Sequence, residues 1–236
     1  MQSTIHPVIR QILIQRGIAE PEDMNEFLSS KPQKTYDPFL MKGMEQAVEL
    51  ILAAAKAGQK ICVYGDYDSD GVNATSLLIQ VLSHLTTNLE FYLPSRFDEG
   101  YGLNREALSF LRDSGVDLVV TVDCGSTSYA EVEHAKSIGL SMIVTDHHNI
   151  NDRIADCILL NPKQEGCAYP FKELCGCGVA FKLAQALQRR YQLPKQVLTE
   201  VLDLVASATV GDIVPLLDEN RTLVKHGLAV IRKNRR

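Results

Sequence analysis

The stretch KICVYGDYDSDG, residues 60–71, decides how the rest of the chain is read. Its first five residues are mostly apolar, with β-branched and aromatic types that suit a short buried strand. Gly65 closes the strand, and Asp66, Asp68 and Asp70 alternate through the turn to Gly71. VNATSLLIQVLSHL (72–85) follows with helical spacing. The unit then recurs. LEFYL (89–93) precedes the helical NREALSFLRDSG (104–115), with Asn104 as N-cap and Gly115 as stop; VDLVVTV (116–122) precedes SYAEVEHAKSIG (128–139); LSMIVT (140–145) and CILLN (157–161) are further strands. Helices over 178–191 and 195–209, a loop at 211–220 and a helical piece from Arg221 come last. Strands alternating with helices predict an α/β fold: a doubly wound, mostly parallel sheet flanked by helices. Residues 4–57 read as helices, ending in MKGMEQAVELILAAAKAG. The expected organisation is an N-terminal helical segment (1–58) packed on the core, a core over 59–220, and the start of a linker helix over 221–236.

Composition narrows the function classes. The chain has 236 residues, 45% of them hydrophobic, which suffices for a packed core. No apolar run reaches the roughly 18 residues of a membrane span, and the N-terminus lacks a signal-peptide pattern. Six cysteines without a dense framework read as reduced thiols, and a cytoplasmic location is expected. Net charge is −5, but the last 16 residues hold six Lys/Arg and no acid. That leaves 18 bases against 29 acids, net −11, over residues 1–220, a balance unlike that of a nucleic-acid binder.

In a doubly wound sheet, ligands sit beyond the carboxyl ends of the strands. Here those ends carry Asp66, Asp68 and Asp70, then Asp123-Cys124-Gly125, then Asp146-His147-His148. A single Asp after a strand ordinarily caps a helix or turn. Three such sites converging on one edge would repel one another unless a cation lay among them. Carboxylates with one or two imidazoles suit Mn²⁺, Mg²⁺ or Zn²⁺, and an oxygen-rich set leans to Mn²⁺. An EF-hand reading from Asp66 fails because its twelfth position is Leu77, not Glu. The chain lacks GxxxxGK[ST], GxGxxG and GxSxG, so no nucleotide cofactor and no serine nucleophile is expected.

GDYDSDG (65–71), VDCG (122–125), TDHH (145–148) and VGDIVPL (210–216) resemble, in order, the four motifs of the DHH phosphoesterase superfamily. Within it, PSRFDEGYGLN (94–104) and the segment from NPKQ (161–164) to LCGCGVAFKL (174–183) resemble RecJ-type single-stranded-DNA-specific exonucleases. The resemblance spans about residues 40–225. It implies a parallel α/β core holding two Mn²⁺ or Mg²⁺ ions, which hydrolyses phosphodiesters by a two-metal mechanism with 5′→3′ polarity. Asp68 and Asp70 match the first ligands, Asp123 a bridging carboxylate, His147 the DHH ligand and Asp212 the fourth-motif ligand. Asp146 matches a residue that orients an imidazole, and His148 one that faces the substrate phosphate. Many relatives carry His where Tyr64 stands, so Asp66 is a further candidate ligand. Arg96 and the backbone amides of Gly176 and Gly178 are candidate phosphate contacts. Single-stranded DNA and repair or replication proteins are the implied partners.

Family members of this type form a two-lobed clamp, so the chain, ending at VIRKNRR, reads as a catalytic-domain fragment whose activity alone is in question. Two other readings fit the motifs. One is a small-substrate phosphoesterase cutting short oligonucleotides, cyclic dinucleotides or pyrophosphate. The other is a non-catalytic RecJ-like scaffold. The RFDEGYGLN and GCGVAFKL segments favour the exonuclease over the first, and the intact motif set favours it over the second.

Overall fold

The computed structural model describes residues 5–29, 33–97, 100, 102–150, 153 and 156–233. Five strands among them form one sheet: β1 (Ile61–Gly65), β2 (Leu89–Tyr92), β3 (Leu118–Val122), β4 (Ser141–Thr145) and β5 (Ile158–Leu160). The order is β2-β1-β3-β4-β5, and every neighbouring pair is parallel. The chain steps from β1 outward to β2 and returns to β3 on the other side of β1. The switch point therefore lies between β1 and β3, where a crevice opens beyond the strand ends.

Alternation along the strands divides the core into two layers. Ile61 and Val63 of β1, with Leu118, Val120 and Val122 of β3, pack against α3 (Met44–Lys56), α4 (Ser69–Leu82), α7 (Gly176–Tyr191) and α9 (Leu202–Gly211). Cys62, Tyr64, Val119 and Val144 face α5 (Arg105–Asp113) and α6 (Tyr129–Ser137) on the opposite side. β1, β3 and β4 are buried on both faces apart from Ser141, as central parallel strands are. Upstream lie α1 (Pro7–Gln15) and α2 (Pro21–Leu28); α8 (Lys195–Glu200) precedes α9, and α10 (Asp218–Ile231) packs on α9. No helix among the described residues is long and apolar enough to cross a membrane.

The local differences from the sequence reading have physical causes. α4 begins at Ser69 rather than near 72, because Asp68 accepts from the N–H groups of Asp70 (2.8 Å) and Gly71 (3.0 Å) as its N-cap. The stretch 195–209 is two helices separated at Val201. The last helix starts at Asp218, so the expected boundary at 220/221 falls inside it. Its Thr222, Leu223 and Val224 are buried, and a Cβ on Gly227 would lie 2.2 Å from the Leu202 carbonyl oxygen.

Candidate metal centre

The loops after β1, β3 and β4 and the end of α9 bring the predicted acids and histidines to the switch point. Three overlapping sets have ligand atoms within 4.8 Å of one another: Asp66, Asp68 and Asp123; Asp70, His147 and Asp212; and Asp123, Asp146, His147 and His148. Asp123 and His147 each belong to two of them.

Each side chain is held by a local device. Asp70, in the first turn of α4, is 1% exposed, and its carboxylate accepts from the N–H groups of Gly176 (2.6 Å) and Cys177 (2.8 Å). An acid from one helix thereby caps the N-terminus of another, 106 residues away. Asp123 follows β3 with φ 63°, a left-handed conformation uncommon for a residue bearing a Cβ. Gly176 packs directly on it: a Cβ there would lie 2.6 Å from both Cβ and Oδ1 of Asp123. Gly71 likewise lets α4 approach β1, since its Cβ would meet the Asp66 carbonyl oxygen at 2.4 Å. Asp212 is the C-cap of α9, its N–H donating to Ala208.

Several buried polar atoms lack the hydrogen bonds that burial ordinarily demands. They include both carboxylate oxygens of Asp66, Oδ1 of Asp123, Nε2 of His147 and Oδ2 of Asp212. His147 Nε2 lies 3.0 Å from Asp123 Oδ1 and 3.7 Å from both Asp70 Oδ2 and Asp212 Oδ2. The 3.0 Å contact has the length of a hydrogen bond but not its geometry. Two lone pairs aimed at a common point, rather than at each other, account for both facts. Neighbouring ligands of an octahedral ion with bonds of about 2.1 Å stand about 3.0 Å apart, so the donor set fits a hard divalent cation.

The electrostatics agree with that fit. Burial raises Asp123 far above the carboxylate range, and the charges of Asp70, Asp68, Asp146 and Asp212 raise it further. Burial and Asp212 also raise Asp70, against the two amides that hold it. Asp66 is raised by burial, opposed by the nearby amides of Tyr67, Asp68 and Gly102. Asp212 is raised by burial and by Asp68. Without positive charge Asp123 thus retains its proton at pH 7 and the other acids ionise less readily than free carboxyls; a divalent cation would reverse that preference. Burial and the neighbouring His148 lower His147 to about 4, leaving its ring neutral at pH 7, the form that binds a metal.

Asp146 behaves differently. Burial alone would raise it, but its bond to His148 and further donors bring it to about 2. Its Oδ1 accepts from the backbone of His147 (2.7 Å) and His148 (3.1 Å) and pairs with His148 Nδ1 at 2.7 Å, while Oδ2 accepts from Ser126 N–H at 2.8 Å. It therefore orients the imidazole of His148, whose side chain is half-exposed at the rim. His148 is raised by this bond to Asp146.

One sequence expectation looks different in the structure. The amide of Gly176 is given to Asp70 and that of Gly178 to Cys175 Sγ (3.4 Å), and both glycines are buried. They are corrected from phosphate contacts to packing positions, because the Asp70 carboxylate and the Cys175 cap already fill the helix N-terminus. Arg96 is exposed, its guanidinium 5.7 Å from the Tyr67 ring. Part of its segment, residues 98, 99 and 101, lies outside the described residues. Tyr64 points away from the cluster into the α5 layer, donates to the Gly102 carbonyl at 3.1 Å and stacks on Tyr92. The sequence reading gave no role to Asn161, whose buried amide joins Ser126 and the His148 carbonyl. The only local signal for it was the NPKQ segment after β5.

Comparison with known proteins follows this geometry. The model of the DHH family, N-terminal domain, matches residues 60–209. The chain is 44% identical over 236 residues to the single-stranded-DNA-specific exonuclease RecJ of Bacillus subtilis, covering all of this chain and 29% of that protein. A crystal structure of exonuclease RecJ bound to manganese superposes with a TM-score of 0.74 at 37% identity, over 80% of this chain and 48% of that one. RecJ from Thermus thermophilus in complex with Mn²⁺ gives 0.76 at 33% identity, over 94% and 31%. The chain thus spans less than half the length of these relatives.

Proposed function

Because the chain belongs to the DHH family, we propose that it is the catalytic domain of a metal-dependent exonuclease that hydrolyses single-stranded DNA with 5′→3′ polarity. The observation that carries this reading is the set of buried, unpaired ligand atoms of Asp66, Asp123, His147 and Asp212 at the sheet's switch point. Similarity to single-stranded-DNA-specific exonucleases, and to RecJ structures that hold Mn²⁺, supports the substrate and the ion.

In this reading Asp68, Asp70, Asp123, His147 and Asp212 hold two Mn²⁺ or Mg²⁺ ions. Asp123, common to two ligand sets, would serve both, and Asp66 would support the set that it shares with Asp68 and Asp123. When bound, two such ions neutralise the phosphodiester charge and lower the pKa of water to the working range. The chain's own residues do the rest. Neutral His147 offers its Nε2 lone pair. Asp146 keeps His148 in one orientation through Nδ1, so that its other ring nitrogen serves a phosphate oxygen. Four positive charges from two ions offset the carboxylates, and the site turns from phosphate-repelling to phosphate-binding. α10, packed on α9, belongs to the working core together with residues 59–220, and repair or replication proteins are the partners.

Single strands of graded length, labelled at the 5′ end and incubated with Mn²⁺, test the proposal. Degradation of long strands from the 5′ end is expected, lost in both Asp123→Ala and His147→Ala while circular dichroism shows the fold retained. Undiminished hydrolysis by both variants, or a preference for dinucleotides over long strands, refutes it.

A further inference from the structure

The turn after β5 ties the backbone of Lys163 to the loop that carries His147 and His148. Asn161 is 0% exposed and uses its whole side-chain amide. Nδ2 donates to Ser126 Oγ and to the His148 carbonyl, both at 2.9 Å, and Oδ1 accepts the N–H of Lys163 at 2.9 Å. Next to it, Gln164 donates to the Leu159 carbonyl at 2.8 Å and the Lys42 carbonyl at 3.1 Å. The backbone of Lys163 is thereby fixed to the loop that carries the DHH triplet. Its side chain is half-buried, and its ammonium makes no hydrogen bond or ion pair among the described residues. One side chain, that of Asn161, separates its backbone N–H from the His148 carbonyl at the rim of the site. Paired with none of the site's carboxylates among the described residues, the ammonium is available to an anion arriving from solvent, and a flexible ammonium suits a single phosphate oxygen.

We propose that Lys163 is a binding residue for a backbone phosphate of the substrate strand, held at the rim of the acid cluster by the Asn161 turn. This rests on the nuclease reading above, but binding and hydrolysis are measured separately. The probe is 5′-phosphorylated decathymidylate with Ca²⁺ as the divalent ion, followed by fluorescence anisotropy over a range of salt. Lys163→Ala is expected to weaken binding about tenfold, to the same extent for strands of any sequence. The slope of log K against log salt should fall by about 0.7, the value for one phosphate of a single strand. Lys163→Arg should restore both, and Lys56→Ala, at the exposed end of α3, should leave both unchanged. Thermal melting confirms that each variant is folded. An unaltered slope and affinity in Lys163→Ala overturns the inference, as does failure of the unaltered chain to bind the strand at low salt. If Asp123→Ala abolishes hydrolysis while Lys163→Ala binds normally, only this inference falls. If Lys163 governs binding but nothing is hydrolysed, only the nuclease reading falls.

Discussion

Asp123→Asn should make the protein more stable in the absence of divalent ions and unable to gain stability in their presence. Asp123 is 1% exposed, its Oδ1 has no hydrogen bond, and Asp70, Asp68, Asp146 and Asp212 all raise its pKa from an ordinary 3.8. At pH 7 the folded state therefore holds a proton there that the unfolded state has released. Each pH unit between 3.8 and 7 costs the fold about 1.4 kcal/mol, or about 4 kcal/mol in all. The sign is that of a raised carboxyl: stability falls as pH rises above the unfolded value, because the native state binds more protons. Asn removes the titration, keeps the shape and tolerates the φ of 63°. Part of the gain is offset by imperfect amide geometry, so about 2–4 kcal/mol is expected. Urea denaturation in EDTA at pH 7 and pH 4 measures it, with the advantage vanishing at pH 4. With Mn²⁺ at 100 times its dissociation constant the unaltered protein should gain about 2.7 kcal/mol and the variant almost nothing. A variant less stable than the parent in EDTA at pH 7 would refute the idea that these carboxylates are mutually strained.

Two further outcomes follow from packing around the centre. Gly176→Ala should cost about 2 kcal/mol or more and weaken Mn²⁺ binding by calorimetry, because the new Cβ would sit 2.6 Å from the Asp123 carboxylate and displace it. Tyr64→Phe should cost about 1 kcal/mol in denaturant melts, the worth of its bond to the Gly102 carbonyl, and leave Mn²⁺ affinity unchanged; a tenfold loss of affinity would place Tyr64 in the metal site.

Most of the site was readable because strand and turn signals are local. Apolar runs of β-branched residues, Gly stops and the Asn104 cap lie within a few residues of the structures they specify. Parallel strands place all their following loops on one edge, so the acids of three loops were bound to meet. Boundaries were less readable at Asp68, one of three alternating acids that could each have capped the helix, and at Cys175, an uncommon cap residue. The buried pair of Lys182 and Glu219, at 2.8 Å, had no local signal at all. It is satisfied by Thr35, Tyr36 and Tyr169, from segments far apart in the chain, and it ties residues 33–37 to α7 and α10.

The amino-acid sequence by itself determined that a parallel α/β sheet forms and that Asp66, Asp68, Asp70, Asp123, His147 and His148 gather at its carboxyl edge. Strand periodicity and turn chemistry act over neighbouring residues, and the edge rule converts them into a place. Only the tertiary structure decided how the gathered groups divide the work. Adjacency of β1 and β3 put Asp123 beside the acids of the first loop. Docking of α7 spent two amides on Asp70 that a phosphate would otherwise have met, and Asp146 took His148 rather than His147 as its ring partner. Such choices depend on distances between segments that are remote in the chain. No periodicity within a segment encodes those distances, and they arise only when the layers pack.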